Sequence, residues 1–169
     1  MNPPTAAVAG PADRRALSEL RTRVFVHEQG VPPEIEQDDA DAGAVHVISR
    51  ADDGRVVATG RLLLPPGSTT ATIGRMASDA SVRGGGHGSA VLAELHRQAA
   101  ARGISEVELH AQVSARGFYE RAGYVAVGSP YVEAGIAHIT MRRVLPEPDV
   151  ADATDRSAEE ETRPVRPSE

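Results

Sequence analysis

The sequence predicts an α/β fold (α+β) around a mixed, mostly antiparallel central sheet. Two observations predict it. Three apolar-rich segments at 44–50, 55–64 and 70–77 follow one another with only turn signals between them, which is the pattern of an antiparallel meander. A helical pattern from Ser89 then separates the third from the alternating run Glu106-Val-Glu-Leu-His110. Strand, helix, strand in that order makes 70–77 and 106–110 parallel neighbours joined by a right-handed crossover.

Residues 1–12 hold three prolines and small side chains and read as a flexible leader. Asp13 is a helix N-cap, and Leu17, Leu20 and Val24 follow at helical spacing, so a helix runs to His27 or Glu28, where Gly30-Val31-Pro32-Pro33 stops it. Glu34 to Asp41 carries five acidic residues and reads as an exposed loop or as a rim that attracts a cationic amine. Asp52-Asp53-Gly54 is a hairpin signal, and Pro65-Pro66-Gly67-Ser68 makes the next turn. In the helix after the loop, Val91, Leu92, Leu95 and Ala99 form the buried stripe, and Gly103 ends it. Ser114 caps a short helix, 115–122, closed by Gly123. Strands at 124–128 and 137–144 flank a turn region at 130–135. The domain is therefore 13–145.

Bulk properties narrow the function. The chain has 169 residues and no cysteine, which removes disulfides, thiolate nucleophiles and thiolate metal sites. No apolar run approaches the ~20 residues of a membrane helix. The first ten residues lack a signal peptide's basic start and apolar core, so a soluble, cytoplasmic protein is expected. The formal net charge is −6, and residues 146–169 are acidic, Pro-rich and nearly devoid of apolar side chains, so they are expected to be disordered. No basic stripe suits nucleic acid. The six histidines form no recognisable metal-ligand pattern, so no metal is expected.

The stretch Arg83-Gly84-Gly85-Gly86-His87-Gly88-Ser89 runs directly into the helical pattern. Glycine permits close approach to the main chain, and the first N–H groups of a helix are unpaired at its electropositive end. Such a junction seats phosphate oxygens. A Walker-type loop needs a lysine, and the chain has none. A dinucleotide fingerprint is matched only as Gly84-x-Gly86-x-x-Ser89, which is poor. The pattern [R/Q]-x-x-G-x-[G/A] is met by Arg83, Gly86 and Gly88.

A second cluster lies downstream. Three of the five aromatic residues, Phe118, Tyr119 and Tyr124, fall within seven positions. Phe118 and Ala122 share a helix face, whereas Tyr119 is turned about 100° away from Phe118. Together, Ile73-Gly-Arg-Met-Ala-Ser-Asp-Ala-Ser-Val-Arg-Gly-Gly-Gly-His-Gly-Ser-Ala-Val-Leu92 and Ala115-Arg-Gly-Phe-Tyr-Glu-Arg-Ala-Gly-Tyr124 resemble the acetyl-CoA and aromatic motifs of the GNAT N-acetyltransferase superfamily, in its order and separation. Arg23-Val-Phe-Val-His-Glu-Gln29, Leu109-His-Ala-Gln112 and Tyr131-Val-Glu-Ala-Gly-Ile-Ala-His-Ile-Thr-Met141 are similar to its ElaA-like branch. Ser78 and His87 stand where apolar residues are common, and Ala80 where proline is common; His87 is expected to face solvent.

The resemblance implies helices on both sheet faces and two parallel strands that splay to admit acetyl-CoA. It implies that the backbone of Met76, Ala77 and Ser78 pairs with the pantetheine arm. Main-chain N–H groups of Arg83, Gly84, Gly85, Gly86, His87, Gly88 and Ser89 would receive the pyrophosphate. An N–H near Ala77 would polarise the thioester oxygen. Tyr119 matches the family's phenol, which supplies a proton or hydrogen bond to the departing thiolate. A neutral amine must attack, and Glu28, His46, His110, Glu133 and His138 are candidates for its base, with Glu28 and His138 first because they lie in the branch-like stretches. The implied reaction is direct acetyl transfer to a primary amine of a small molecule or peptide. A non-catalytic acyl-CoA-binding regulator is the alternative. The family's frequent dimers suggest a homodimer.

Overall fold

The computed structural model describes residues 3–146. The expectation of a disordered tail falls outside these residues apart from Pro146. Seven strands, β1 (Ala6–Val8), β2 (Val45–Arg50), β3 (Val56–Leu63), β4 (Thr70–Ser78), β5 (Glu106–Gln112), β6 (Val125–Glu133) and β7 (Ile136–Val144), form one sheet in the order β1-β2-β3-β4-β5-β7-β6. Among the described residues, only β4 and β5 are parallel; every other pair is antiparallel.

Helices cover both faces, as the resemblance implied. Helix α1 (Arg14–Arg21) continues as a π-helix, Thr22–Glu28, and the short α2 is Pro33–Glu36. Leu17, Leu20 and Val24 pack with Ile48, Val56 and Ala77 on one face. On the other face lie α3 (His87–Ala101) and α4 (Arg116–Arg121). Val91, Leu92, Leu95 and Ala99 of α3, the predicted stripe, pack with Val47, Leu62, Ile73, Val107 and Leu109. Val47 and Ile48 go to opposite cores because adjacent strand residues point to opposite faces.

Three expectations change. The leader is not loose along its length: Ala6–Val8 pairs antiparallel with Val47–Ser49, and Ser49 Oγ donates to the Thr5 carbonyl at 2.7 Å. Backbone pairing orders small residues that have no helical or strand periodicity of their own. The acidic stretch is exposed at Glu34, Asp38 and Asp39, as a loop was expected to be, but three of its five carboxylates are committed to arginines rather than left as an open rim. Glu36 is buried against Arg21, Asp41 receives both Arg21 and Arg61, and Asp38 receives Arg61 and Arg75. Finally, β6 runs through Pro130. It lies at the sheet edge, where a missing N–H breaks no ladder, and its register shifts between Val127 and Tyr131.

The parallel pair opens at one end. Pairing between β4 and β5 runs only from Thr70–Glu106 to Ile73–Leu109. Beyond it β5 stays with β7 as far as Gln112–His138, while β4 stays with β3 to Ser78–Ala58. A bulge helps them part: between the Arg61–Gly74 and Thr59–Ala77 pairs, Arg75 and Met76 face the single residue Gly60, and Arg75 has a φ of 53°.

Candidate active site

Two cavities meet at this splay. The first, of about 750 Å³, is walled by the glycine loop, the start of α3, Phe118 and Tyr119. The second, of about 540 Å³, lies on the other side and is walled by Phe25, Glu28, His110, Glu133 and His138 among others. They share Met76, Ala77, Ser78, Arg83, Ala115 and Tyr119 as wall residues.

The first cavity presents main-chain donors. Gly84 and Gly86 take φ values of 85° and 94°, which glycine adopts without strain. Gly85 N donates to the Val82 carbonyl at 3.0 Å, so this one amide is spent within the protein. The first helical bond of α3 runs from Ala90 N to Gly86 O. Among the described residues, no hydrogen bond engages the amides of Gly84, Gly86, His87, Gly88 or Ser89. These donors at the N-terminus of a 15-residue helix fit a diphosphate. Asp79 accepts from Ser81 N at 3.0 Å and so fixes the turn where Ala80 replaces the common proline.

His87 does not face solvent as expected. Its Nδ1 lies 2.7 Å from Ser49 Oγ. Ser49 has one hydroxyl proton and gives it to the Thr5 carbonyl, so Nδ1–H of His87 donates to Ser49. Ser49 is 1% exposed, and nothing in the alternation of its strand marks it as a partner for the loop.

The Arg83 side chain turns away from the free amides. Its NH1 and NH2 groups donate to the Glu28 carboxylate at 2.6 and 2.7 Å, and Nε and NH2 hold the Ser78 carbonyl at 3.1 and 2.9 Å. The hydrogen bonds from Arg83 hold the Glu28 carboxyl below its ordinary range. Asp79 N donates to Val57 O across β3, so by alternation Ser78 points its backbone N–H toward the gap. Ser78, one residue on from Ala77, therefore has an amide aimed into the splay.

Tyr119 lines both cavities and is 8% exposed. Burial pushes its phenol up to about 12. Its hydroxyl has no hydrogen-bond partner among the described residues, yet it is not a sealed atom, for the buried atom left unpartnered is Arg61 Nε. The hydroxyl therefore opens to the cavity.

The other candidates divide. His138 is 8% exposed and lines the second cavity, and its Nδ1–H donates to the Ile136 carbonyl at 2.7 Å. In the neutral ring this leaves Nε2 as an acceptor. His110 and Glu133 line the same cavity and bond each other at 3.1 Å. His46 lines neither cavity. It is buried on the Asp41 carbonyl at 2.9 Å, and burial lowers its pKa. Among the described residues, no three His, Asp or Glu side chains are gathered to hold a metal ion. No described helix is long and apolar enough to cross a membrane.

The π-helix was missed from sequence. Gln29 N bonds Val24 O and Val31 N reaches Phe25 O, wider turns than an α-helix makes. Val24, Phe25, Glu28 and Gln29 all line the second cavity as a result. Hydrophobic spacing reports the buried side of such a segment and is blind to one extra residue per turn.

The acetyltransferase (GNAT) domain family matches residues 13–145. A UPF0039 protein of Synechocystis is 31% identical over 79% of this chain and 87% of its own. An acyl-CoA N-acyltransferase of Pseudomonas aeruginosa shares the structure with a TM-score of 0.70, 35% identity and coverage of 85% of this chain and 100% of that one. Escherichia coli ElaA superposes with a TM-score of 0.72 at 27% identity, covering 85% and 99%. With the splayed strands, the glycine-loop cavity and the family match in agreement, the chain belongs to the GNAT acetyltransferase family.

Proposed function

We propose that the protein transfers an acetyl group from acetyl-CoA directly to a primary amine held in the second cavity. One observation carries this reading: Tyr119 lines the cavity of the phosphate-type loop and also the cavity that contains His138. Acetyl-CoA would supply the activated acyl carbon. The free amides of Gly84, Gly86, His87, Gly88 and Ser89 would hold its diphosphate, and the Ser78 amide would donate to the thioester oxygen as that atom gains charge.

His138 is the base in this reading. The Ile136 carbonyl fixes its tautomer and leaves Nε2 to take the ammonium proton. Glu28 is assigned instead to positioning Arg83, because a carboxylate in a two-point guanidinium pair is a poorer base. Tyr119 donates a hydrogen bond to the leaving sulfur. With the phenol near 12 and a free thiol at about 8.5, complete proton transfer would be uphill by roughly 5 kcal/mol. Of the two roles open to this phenol, burial therefore favours the hydrogen bond over full proton transfer.

Thiol release from acetyl-CoA with a panel of primary amines tests this. Amine-dependent release that falls on Tyr119→Phe supports it. Tight acetyl-CoA binding with no release on any amine would favour a regulator that holds the thioester without turnover.

A further inference from the structure

We propose that the acceptor is a diamine whose second, charged nitrogen is received by Glu133, two residues along the sheet from the row of His138. The inference rests on the reading of the second cavity as the acceptor site.

The cavity's charges are almost all matched internally. Of its carboxylates, Glu28 is held by Arg83, and Glu36 is 3% exposed on Arg21. Of its arginines, Arg61 is paired with Asp38 and Asp41, and Arg75 with Asp38 and the carbonyls of Ile35 and Glu36. Glu133 differs. Among the described residues its ion-pair partner is His110, whose Nδ1 lies 3.1 Å from Oε1. His110 meets Oε1 alone, and among the described residues Oε2 of the carboxylate has no partner. The Glu133 side chain is 48% exposed at the cavity wall. The unmatched potential at this wall is therefore negative. It favours a cation and disfavours an acceptor bearing a carboxylate.

The sheet register gives the spacing. Tyr131 pairs with His138, and Glu133 with Ile136, so Glu133 sits two residues along from the His138 row on the same face. Two residues of strand span about 7 Å. An extended chain advances about 1.2 Å per bond, so about six bonds, two nitrogens with about five carbons between them, bridge that distance. Phe25, Val31, Ile35 and Ile136 supply apolar wall for the carbons.

The test compares 1,5-diaminopentane, pentylamine and 5-aminopentanoate as acceptors for wild type and Glu133→Gln. The expected result is a kcat/KM for the diamine at least tenfold above that for pentylamine, 5-aminopentanoate poorest of the three, and a diamine-to-monoamine ratio near one in the variant. Equal use of both amines by the wild type, or a preference that survives Glu133→Gln, overturns the proposal. Calorimetry of the same compounds against the coenzyme A-loaded protein reads the preference without turnover. A diamine preference in binding that Glu133→Gln removes sustains the acceptor class even if no acetyl group moves, whereas no binding of the diamine overturns it.

Discussion

Arg83 grips Glu28 through two nitrogens, at 2.6 and 2.7 Å, and closes on the Ser78 carbonyl with the same guanidinium. The first residue of the phosphate-type loop is thereby tied to the π-helix on one side and to the end of β4 on the other. Its side chain acts as a brace, and the amides of Gly84, Gly86, His87, Gly88 and Ser89 keep no partner among the described residues.

Loss of this brace is expected to loosen the loop. Glu28→Gln should raise the KM for acetyl-CoA about five- to twentyfold with little change in kcat, because the ion pair is lost and an amide offers the Arg83 guanidinium one acceptor oxygen in place of two. Steady-state kinetics at saturating amine would show it. A fall in kcat with KM unchanged would return Glu28 to the role of base.

Ser49→Ala is expected to weaken acetyl-CoA binding through His87. The variant removes the acceptor for His87 Nδ1–H, which lies 2.7 Å away. The change should be severalfold in dissociation constant, and His87→Ala in the same background should add little, as for residues that act as one unit. Calorimetry of the double-mutant cycle measures the coupling, and additive effects would argue against the chain of bonds.

Tyr119→Phe is expected to lower kcat by about 10- to 1,000-fold while leaving the acetyl-CoA dissociation constant within about threefold. Because burial holds the phenol near 12, the wild-type rate should show no alkaline fall from Tyr119 up to about pH 10. A descending limb near pH 9 that Tyr119→Phe abolishes would contradict this assignment.

The glycine loop and the aromatic motif were legible in the sequence because each rests on residue types with narrow physical uses. Gly84 and Gly86 occupy left-handed backbone, and the α3 stripe of Val91, Leu92, Leu95 and Ala99 is buried as its spacing required. The acidic stretch at 34–41 was not legible in the same way. Its partners Arg21, Arg61 and Arg75 come from three other elements, and charge counted along one segment ignores cations brought in by folding. His87 misled for the same reason, since Ser49 lies 38 positions away.

The arginine network has a pH signature. Hydrogen bonds from Arg61 hold Asp38 at about 2, against an ordinary aspartate near 3.9. A depressed folded-state pKa stabilises above the unfolded value and loses that contribution as pH falls toward the folded one. Wild type should therefore exceed Asp38→Asn in stability at pH 6, and the gap should close between about pH 4 and pH 2. Urea midpoints across that range measure it, and a constant gap would mean that Asp38 contributes by packing alone.

The most direct measurement is amide NMR of the full chain titrated with coenzyme A. The account predicts that the backbone N–H resonances of Gly84, Gly86, His87, Gly88 and Ser89 move strongly as the diphosphate is bound. Saturable binding that leaves those five resonances in place would contradict it.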